Sequence, residues 1–149
     1  MEEPRMVNSF VGNYTCTLDS KGRIMVPAKF RHAIPSELKE TLIISKGKDN
    51  CLNLYPMSHW NMIMKELSSL EPGPKRRNLV RFYSDTSHQV NIDRSGRIAI
   101  PANYLEMLGK PKRVVVVGAL TYMEIWDPDS YEKMREEAAR TYMESDWEF

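Results

Sequence analysis

A twelve-residue pattern occurs twice in this chain, and this repeat constrains the fold more than any other feature. Residues 19–30 (DSKGRIMVPAKF) recur as residues 93–104 (DRSGRIAIPANY), with six positions identical. A second block, residues 42–47, recurs as residues 113–118. Because the two repeated blocks are collinear, we interpret the chain as a tandem duplication of one structural unit.

The first repeated block predicts a strand, a tight turn, a second strand and a helix. Residues 14–18 alternate between apolar and polar side chains, as a half-buried strand does. Asp19 can accept backbone hydrogen bonds inside a turn, and Gly22 can adopt the positive φ that closes a hairpin. Residues 23–26 then form the returning strand, and the proline that opens residues 27–34 favours a helix there.

The remainder of each half predicts a pair of strands and a long amphipathic helix. The strand pairs are 42–46 with 51–55 and 113–117 with 122–126. Ser58 is suited to cap the helix of the first half. In the C-terminal helix the apolar spacing predicts an inner face of Tyr131, Met134, Ala138 and Tyr142. Each half therefore has the predicted order β-β-α-β-β-α, which makes the chain an α+β protein.

The duplication predicts three segments along the chain. They are a first repeat at residues 7–71, a basic linking helix at 72–83 that is entered at Pro74, and a second repeat at 84–149 with an acidic C-terminal helix. A unit of about 60 residues buries little surface by itself. We therefore expect the halves to pack together or the chain to form oligomers.

The net charge of +1 conceals an uneven distribution of charged residues. Residues 1–123 hold 18 lysines and arginines against 11 acidic residues, whereas residues 124–149 hold 3 against 9. A basic body with an acidic tail is typical of nucleic-acid-binding proteins, although a solvated acidic helix would give the same count. We find neither an apolar run long enough to span a membrane nor a secretion signal, so we expect a cytoplasmic protein.

The sequence carries no constellation of side chains that would support catalysis. His32, His59 and His88 are far apart and lack the spacing of metal ligands, and Cys16 and Cys51 are isolated. Motifs such as GxGxxG, GxxxxGK[ST] and GxSxG do not occur in the sequence. We therefore predict a protein that is not an enzyme and needs no cofactor and no metal.

Arg23 and Arg97 are the repeated residues that packing and turn geometry do not explain. If the isoleucine after each arginine faces the core, strand alternation turns the arginine outward. Further cations lie nearby in the sequence, namely Lys21 and Arg94 in the two turns and Lys29 and Arg31 on the first helix. Each arginine could pair with the aspartate of its own turn, Asp19 or Asp93, and such a pair could also orient the guanidinium toward a ligand.

A β-hairpin that carries several cations suggests DNA as the partner. A two-stranded ribbon fits the major groove, and an arginine can donate two hydrogen bonds to guanine, worth about 1–3 kcal/mol of discrimination. Lys21, Lys29 and Arg31 would contact phosphates, which adds affinity without sequence information. Because a few contacts per subunit give weak binding, we expect several subunits to act together on repeated sites.

The two Asp-x-x-x-Arg motifs lie among further landmarks in a fixed order. These landmarks are Phe10-x-Gly12-x-Tyr14, residues 22–31, Cys51-Leu52-x-Leu54-Tyr55-Pro56, residues 115–118 and Glu124-Ile125-Trp126. Over about residues 7–145 the sequence resembles the MraZ family of bacterial transcriptional regulators, which belongs to the AbrB-like swapped-hairpin group of DNA-binding proteins. The resemblance implies two tandem AbrB-like β-barrel repeats, joined by the linking helix, in a ring of subunits.

The resemblance also implies a function. MraZ rings, which are octamers or dodecamers, bind short G-rich direct repeats upstream of their own operon in the division and cell-wall gene cluster and regulate its transcription. DNA reading would fall to Asp19, Lys21 and Arg23, with Lys29 and Arg31 as neighbours. Asp93, Arg94 and Arg97 of the second motif would contact either DNA or an adjacent subunit.

The implied partners are double-stranded DNA and further copies of the chain, with no membrane, in the cytoplasm and associated with the nucleoid. The alternative is a structural oligomer whose two motifs serve only subunit contacts.

Overall fold

The computed structural model describes residues 9–34 and 41–148, which contain eight strands and five helices. The strands are β1 (Asn13–Thr17), β2 (Arg23–Met25), β3 (Thr41–Lys46), β4 (Leu52–Pro56), β5 (His88–Asn91), β6 (Arg97–Ala99), β7 (Arg113–Gly118) and β8 (Met123–Trp126). The helices are α1 (Ala28–Ala33), α2 (Met57–Ser69), α3 (Pro74–Thr86), α4 (Ala102–Met107) and α5 (Pro128–Glu144). The α+β class is thereby confirmed.

Six strands form one antiparallel sheet in the order β1-β7-β8-β4-β3-β5, and β2 pairs with β6 in a separate ribbon. The strand pairs predicted in the second part of each half are confirmed to within one residue as β3 with β4 and β7 with β8. In the described residues β1 and β5 are the two edges of this sheet. The β-barrel implied for each repeat is therefore wrong, because the sheet is open.

The two halves of the chain exchange strands, and this exchange is the reason that no repeat closes upon itself. β1 pairs with β7 of the second half, whereas β5 pairs with β3 of the first half. The ribbon likewise joins β2 to β6. The hairpin predicted from residues 14–18 and 23–26 is wrong for the same reason, since both strands find their partners in the other half.

A pseudo-twofold axis relates the two halves. In the ribbon Ile24 lies opposite Ile98, which is its counterpart in the repeat. In the sheet Asn53 lies opposite Glu124, which is again its counterpart. The axis therefore passes through the middle of the ribbon and through the centre of the sheet.

The main hydrophobic core lies between the six-stranded sheet and a layer made of the ribbon, α1 and α4. Its largest fully buried side chains include Phe10, Phe30, Leu42, Leu54 and Ile125. Burial of each such side chain stabilises the fold by about 1.5–3 kcal/mol. A smaller cluster of Cys51, Val115, Trp126 and Tyr131 lies on the opposite face of the sheet, under α5. Ile24 and Ile98 on the inner face of the ribbon belong to the main core, and their burial fixes the ribbon to the rest of the fold.

The helices begin largely where prolines and aspartate predict. α1 and α4 each follow a proline, Pro27 and Pro101, and α3 begins at Pro74. Asp127 caps α5, because its Oδ2 accepts a hydrogen bond from the backbone N–H of Ser130 at 3.1 Å. No helix within the described ranges combines the length and apolar character that crossing a membrane requires.

Two helix predictions are wrong. Pro56 occupies the position before α2, so Ser58 lies inside the helix, and its buried Oγ has no hydrogen-bond partner among the described residues. In α5 Tyr131 is buried and Met134 is half-buried, but Ala138 and Tyr142 are exposed. The predicted inner face is therefore buried or half-buried only at its first two positions.

Candidate nucleic-acid interface

The first motif is a turn that the side chain of Asp19 stabilises by hydrogen bonds to the backbone. Its Oδ1 accepts hydrogen bonds from the backbone N–H groups of Lys21 and Arg23, each at 2.9 Å. Gly22 adopts φ +76°, and its N–H donates to the Asp19 carbonyl at 3.1 Å. A short carboxylate at the first position and a glycine at the fourth satisfy this geometry. The local sequence therefore determines the turn even though the flanking strands do not pair with each other.

The second motif repeats the same turn. Oδ1 of Asp93 accepts from the backbone N–H groups of Ser95 at 2.8 Å and Arg97 at 2.9 Å. Gly96 adopts φ +83°, and its N–H donates to the Asp93 carbonyl at 2.9 Å. The predicted roles of the aspartate and the glycine are therefore confirmed in both copies.

The two motif arginines differ in how their side chains are held. Nε of Arg23 donates to Oδ2 of Asp19 at 2.8 Å, and the two side chains are 36% and 32% exposed. The side chain of Arg97 makes no hydrogen bond or ion pair with any residue in the described part of the chain. A half-exposed pair of this kind contributes about 1 kcal/mol or less to stability. The main consequence of the Asp19–Arg23 pair is that it orients the guanidinium of Arg23.

Hydrogen bonds keep both motif aspartates ionised. The backbone N–H of Arg23, followed by its side chain, lowers the pKa of Asp19 from 3.8 to about 2. The pKa of Asp93 is lowered chiefly by the backbone N–H of Arg97 and then by that of Ser95, with a further contribution from the charge of Arg23. Both carboxylates therefore stay charged, and both turns stay closed, at neutral pH.

Arg23 and Arg97 lie on one face of the β2–β6 ribbon. The register pairs Arg23 with Ala99 and Met25 with Arg97, so the two arginines are diagonal neighbours across the ribbon. The isoleucines between them point the other way and are each 1% exposed, whereas Met25 is 39% exposed. The outer face thus presents two guanidinium groups to solvent on a rigid, buried base.

Each end of the ribbon is tied to the turn of the other half. The N–H of Val26 donates to the carbonyl of Gly96, and the N–H of Ile100 donates to the carbonyl of Gly22, both at 2.9 Å. These two bonds continue the ribbon ladder into the turns. The two motifs and the ribbon consequently form one surface.

Arg31 connects α1 with the second motif. Its Nε donates to the carbonyl of Val26 at 2.9 Å, and its guanidinium lies against Gly96. A β-carbon placed on Gly96 would lie 2.7 Å from Nη1 of Arg31. At the equivalent place in the other half, a β-carbon on Gly22 would lie 2.9 Å from Cδ1 of Leu105. Arg31 is therefore a half-buried residue that holds a turn.

The structure brings most of the predicted site residues to the ribbon. Asp19, Lys21 and Arg23 lie at one end, and Asp93, Arg94 and Arg97 lie at the other. Lys29 is exposed on α1 and makes no hydrogen bond or ion pair with the described residues. Met25 and Ala99 also belong to the outer face. Strand alternation already indicates Met25, but Ala99 joins the face only through the pairing of β6 with β2.

The cysteines and other metal-ligand side chains form no second centre in residues 9–34 and 41–148. Cys16 and Cys51 are free and buried, and burial raises the pKa of both thiols, that of Cys51 to about 12. Such thiols are protonated at neutral pH and are poor nucleophiles. Among the described residues no group of three or more His, Cys, Asp or Glu side chains could hold a metal ion.

Comparison with known proteins gives consistent matches along the chain. The family model described as "MraZ protein, putative antitoxin-like" matches residues 9–81 and again residues 85–146. The "Transcriptional regulator MraZ" of Moorella thermoacetica is 40% identical over 134 residues, which cover 89% of this chain and 91% of that protein. That of Syntrophomonas wolfei is 38% identical over 137 residues, covering 91% and 92%, and that of Limosilactobacillus fermentum is 35% identical over 134 residues, covering 89% and 91%.

Each of the two matched segments contains one Asp-x-x-x-Arg motif, and together they cover nearly all of the described residues. The chain therefore belongs to the MraZ family.

Proposed function

We propose that this chain is a sequence-specific DNA-binding transcriptional regulator that reads DNA with the outer face of the β2–β6 ribbon. The observation that carries the proposal is the position of Arg23 and Arg97 as diagonal neighbours on an exposed face. A ribbon of two strands fits the major groove, which is about 12 Å wide. The relatives are named as transcriptional regulators, which supports the same function.

Asp19 prepares Arg23 to recognise guanine. The bond to Asp19 uses Nε, so Nη1 and Nη2 remain available to donate to O6 and N7 of a guanine. A side chain that is already oriented loses less conformational freedom on binding. The G-rich direct repeats expected upstream of the operon of this chain would supply such acceptor pairs.

The other predicted residues would supply affinity and shape. Lys21 and Arg94 are exposed in the two turns, on either side of the ribbon, where phosphates of a groove would lie. Lys29 extends the positive surface along α1. Arg31 adds charge and holds the turn that contains Asp93 and Arg97.

Several copies would be needed for useful affinity. One ribbon makes few base contacts, so a ring of identical chains on tandem repeats would gain through effective concentration. In this proposal the repeats at 7–71 and 84–149 and the helix at 72–83 form one subunit of the ring. The ring would act in the cytoplasm, at the nucleoid, on the promoter of its own division and cell-wall operon.

The test is fluorescence anisotropy with a labelled duplex from the region upstream of the gene. We expect tight binding by the wild type that is lost when the G-rich repeats are scrambled. Arg23→Ala should weaken binding about 5- to 150-fold, the equivalent of about 1–3 kcal/mol. Lys48→Ala is the control. Lys48 follows the C-terminal end of β3, whereas the N-terminal end of β3 pairs with the end of β5 that leads into the second motif.

The same samples measured by light scattering separate the proposal from its alternative. We expect Arg23→Ala to keep the mass of the wild-type oligomer. If the variant dissociates and the wild type shows no preference for the repeats, the motifs serve subunit contacts and the proposed function is wrong.

A further inference from the structure

The C-terminal part of α5 carries an apolar strip that is exposed in the described part of the chain. Residues 135–144 are all exposed in the described chain, including Tyr142 at 64% and Met143 at 78%. Ala138 and Tyr142 are four residues apart, as are Ala139 and Met143, so the four side chains form one strip. Most helical stability in proteins comes from tertiary packing of an apolar face. The strip is therefore suited to a covering surface.

The pseudo-symmetry indicates what kind of surface covers this strip. α2 and α5 occupy equivalent places in the two halves, with Trp60 and Tyr131 as counterparts. α3 covers α2, where Trp60 and Tyr83 meet edge to face with ring centroids 6.0 Å apart. Within the described residues no helix takes the same place beside α5. In residues 9–34 and 41–148, the position that α3 fills beside α2 thus has no counterpart beside α5.

α3 also has an outer surface that no other described part of the chain buries. None of its residues is buried, and Val80 and Phe82 are 41% and 42% exposed. A groove of about 400 Å³ runs along the side of the helix that carries Val80 and is lined by Pro72, Gly73, Arg76, Arg77, Val80 and Arg81. The groove has an apolar base and a rim of arginines.

The charges of the two helices are complementary. α3 carries Lys75, Arg76, Arg77 and Arg81 against Asp85. Residues 132–148 carry Glu132, Glu136, Glu137, Glu144, Asp146 and Glu148 against Lys133, Arg135 and Arg140. Opposite charges on two exposed surfaces steer association and fix its orientation.

We infer that the exposed part of α5 in one copy packs into the arginine-rimmed groove of α3 in a second copy. Tyr142 and Met143 supply the apolar contact, and Glu132 and Glu136, which lie in line with Ala139 and Met143 on the helix, meet the arginines. Two different surfaces join, so each copy offers one of each, and such a contact closes into a ring when its rotation permits. The inference rests on the homo-oligomer of the proposed function but not on its reading of DNA.

Two charge-reversed chains test this docking. One carries Arg77→Glu with Arg81→Glu on α3, and the other carries Glu132→Lys with Glu136→Lys on α5. Each alone should dissociate in light scattering at concentrations where the wild type is assembled, because like charges meet. An equal mixture should recover the wild-type mass, because the acidic α3 of one chain then meets the basic α5 of the other. Lys110→Glu, a reversal in the loop after α4 and outside both helices, should leave the mass unchanged.

Recovery in the mixture distinguishes a docking contact from a folding defect, which mixing would not repair. The inference is overturned if either variant alone keeps the wild-type mass or if the mixture stays dissociated. A loss of DNA affinity without a change of mass in the α3 variant would mean that α3 contacts DNA. A monomeric wild type would overturn both this inference and the proposed ring, whereas the anisotropy assay judges DNA reading separately.

Discussion

The guanidinium of Arg31 occupies the space that a side chain on Gly96 would need, with Nη1 only 2.7 Å from the position of a β-carbon there. The two residues belong to different halves of the chain. Arg31 is also anchored to the carbonyl of Val26, so it cannot move away without losing a hydrogen bond. The second motif is therefore stabilised in two ways. Arg31 of the first half contacts its glycine, and Asp93 accepts hydrogen bonds from its backbone.

Gly96→Ala is expected to destabilise the protein more than Gly109→Ala. Both glycines have nearly the same φ, +83° and +84°, but no atom lies within 4 Å of a β-carbon on Gly109. Both variants lose about 1–2 kcal/mol to the positive φ, and Gly96→Ala loses about 1–3 kcal/mol more through the contact with Arg31. Chemical denaturation measures the difference. Equal losses would show that the contact with Arg31 has no energetic weight.

Asp19→Asn is expected to reduce DNA affinity more than Asp93→Asn. Asp19 binds both the backbone of its turn and Nε of Arg23, whereas Asp93 bonds only to backbone N–H groups among the described residues. An asparagine preserves one acceptor for the turn but removes the charge that holds Arg23. Anisotropy titrations with the upstream duplex compare the two variants. A larger loss for Asp93→Asn would contradict the orienting role of Asp19.

Lys21→Ala and Arg94→Ala are expected to weaken binding to repeat-containing and scrambled DNA by the same factor. A phosphate contact carries no sequence information, and removing one should reduce the slope of log affinity against log salt by about 1. Titrations at several salt concentrations give these slopes. The slope should not change for Lys48→Ala, and a selective loss on the repeats would indicate that these residues contact bases instead.

His59 is expected to make the protein less stable as the pH falls below about 6.5. Its ring stacks on Tyr55 with centroids 5.0 Å apart, and its Nδ1 lies 2.9 Å from Oγ1 of Thr121. Burial lowers the pKa of this imidazole below 6.5, so the unfolded chain takes up the proton first on acidification. The stabilisation is therefore complete above pH 6.5 and declines below it.

The measurement is the free energy of unfolding of the wild type and of His59→Gln between about pH 8 and pH 5, the range in which histidine titrates. The difference between the two proteins should narrow as the pH falls. His88→Gln, at an exposed position, is the matched control. A constant difference across this range would show that the protonation of His59 is not coupled to folding.

The sequence predicts well those features that depend on neighbouring residues. Asp19 and Gly22 determine a turn because the groups they satisfy lie within five residues. Pro74 begins a helix because its fixed φ suits the first turn. The boundaries proposed for the repeats at residues 71 and 83 stay predictions.

The sequence does not predict features that depend on contacts between residues far apart along the chain. Residues 23–26 are correctly predicted to contain a strand, but the sequence does not indicate that β2 pairs with β6 and not with β1. The outward alternation of Arg23 was predictable, whereas its place beside Arg97 depends on that pairing. The apolar spacing of Ala138 and Tyr142 predicts an inner helix face, but both residues are exposed, because spacing along a helix does not show which residues the rest of the fold covers.

The two ends of the ribbon differ in the side chain that contacts the glycine of the turn. Arg31 lies against Gly96 at one end, and Leu105 lies against Gly22 at the other. Two identical chains arranged about a true twofold axis would present two equivalent ends, and such a reader matches a palindrome. In one covalent chain the two ends can differ, and here a cation holds one turn while an aliphatic side chain holds the other. The outer face of the ribbon consequently has two unlike ends, which is the polarity that the proposed reading of direct rather than inverted repeats requires.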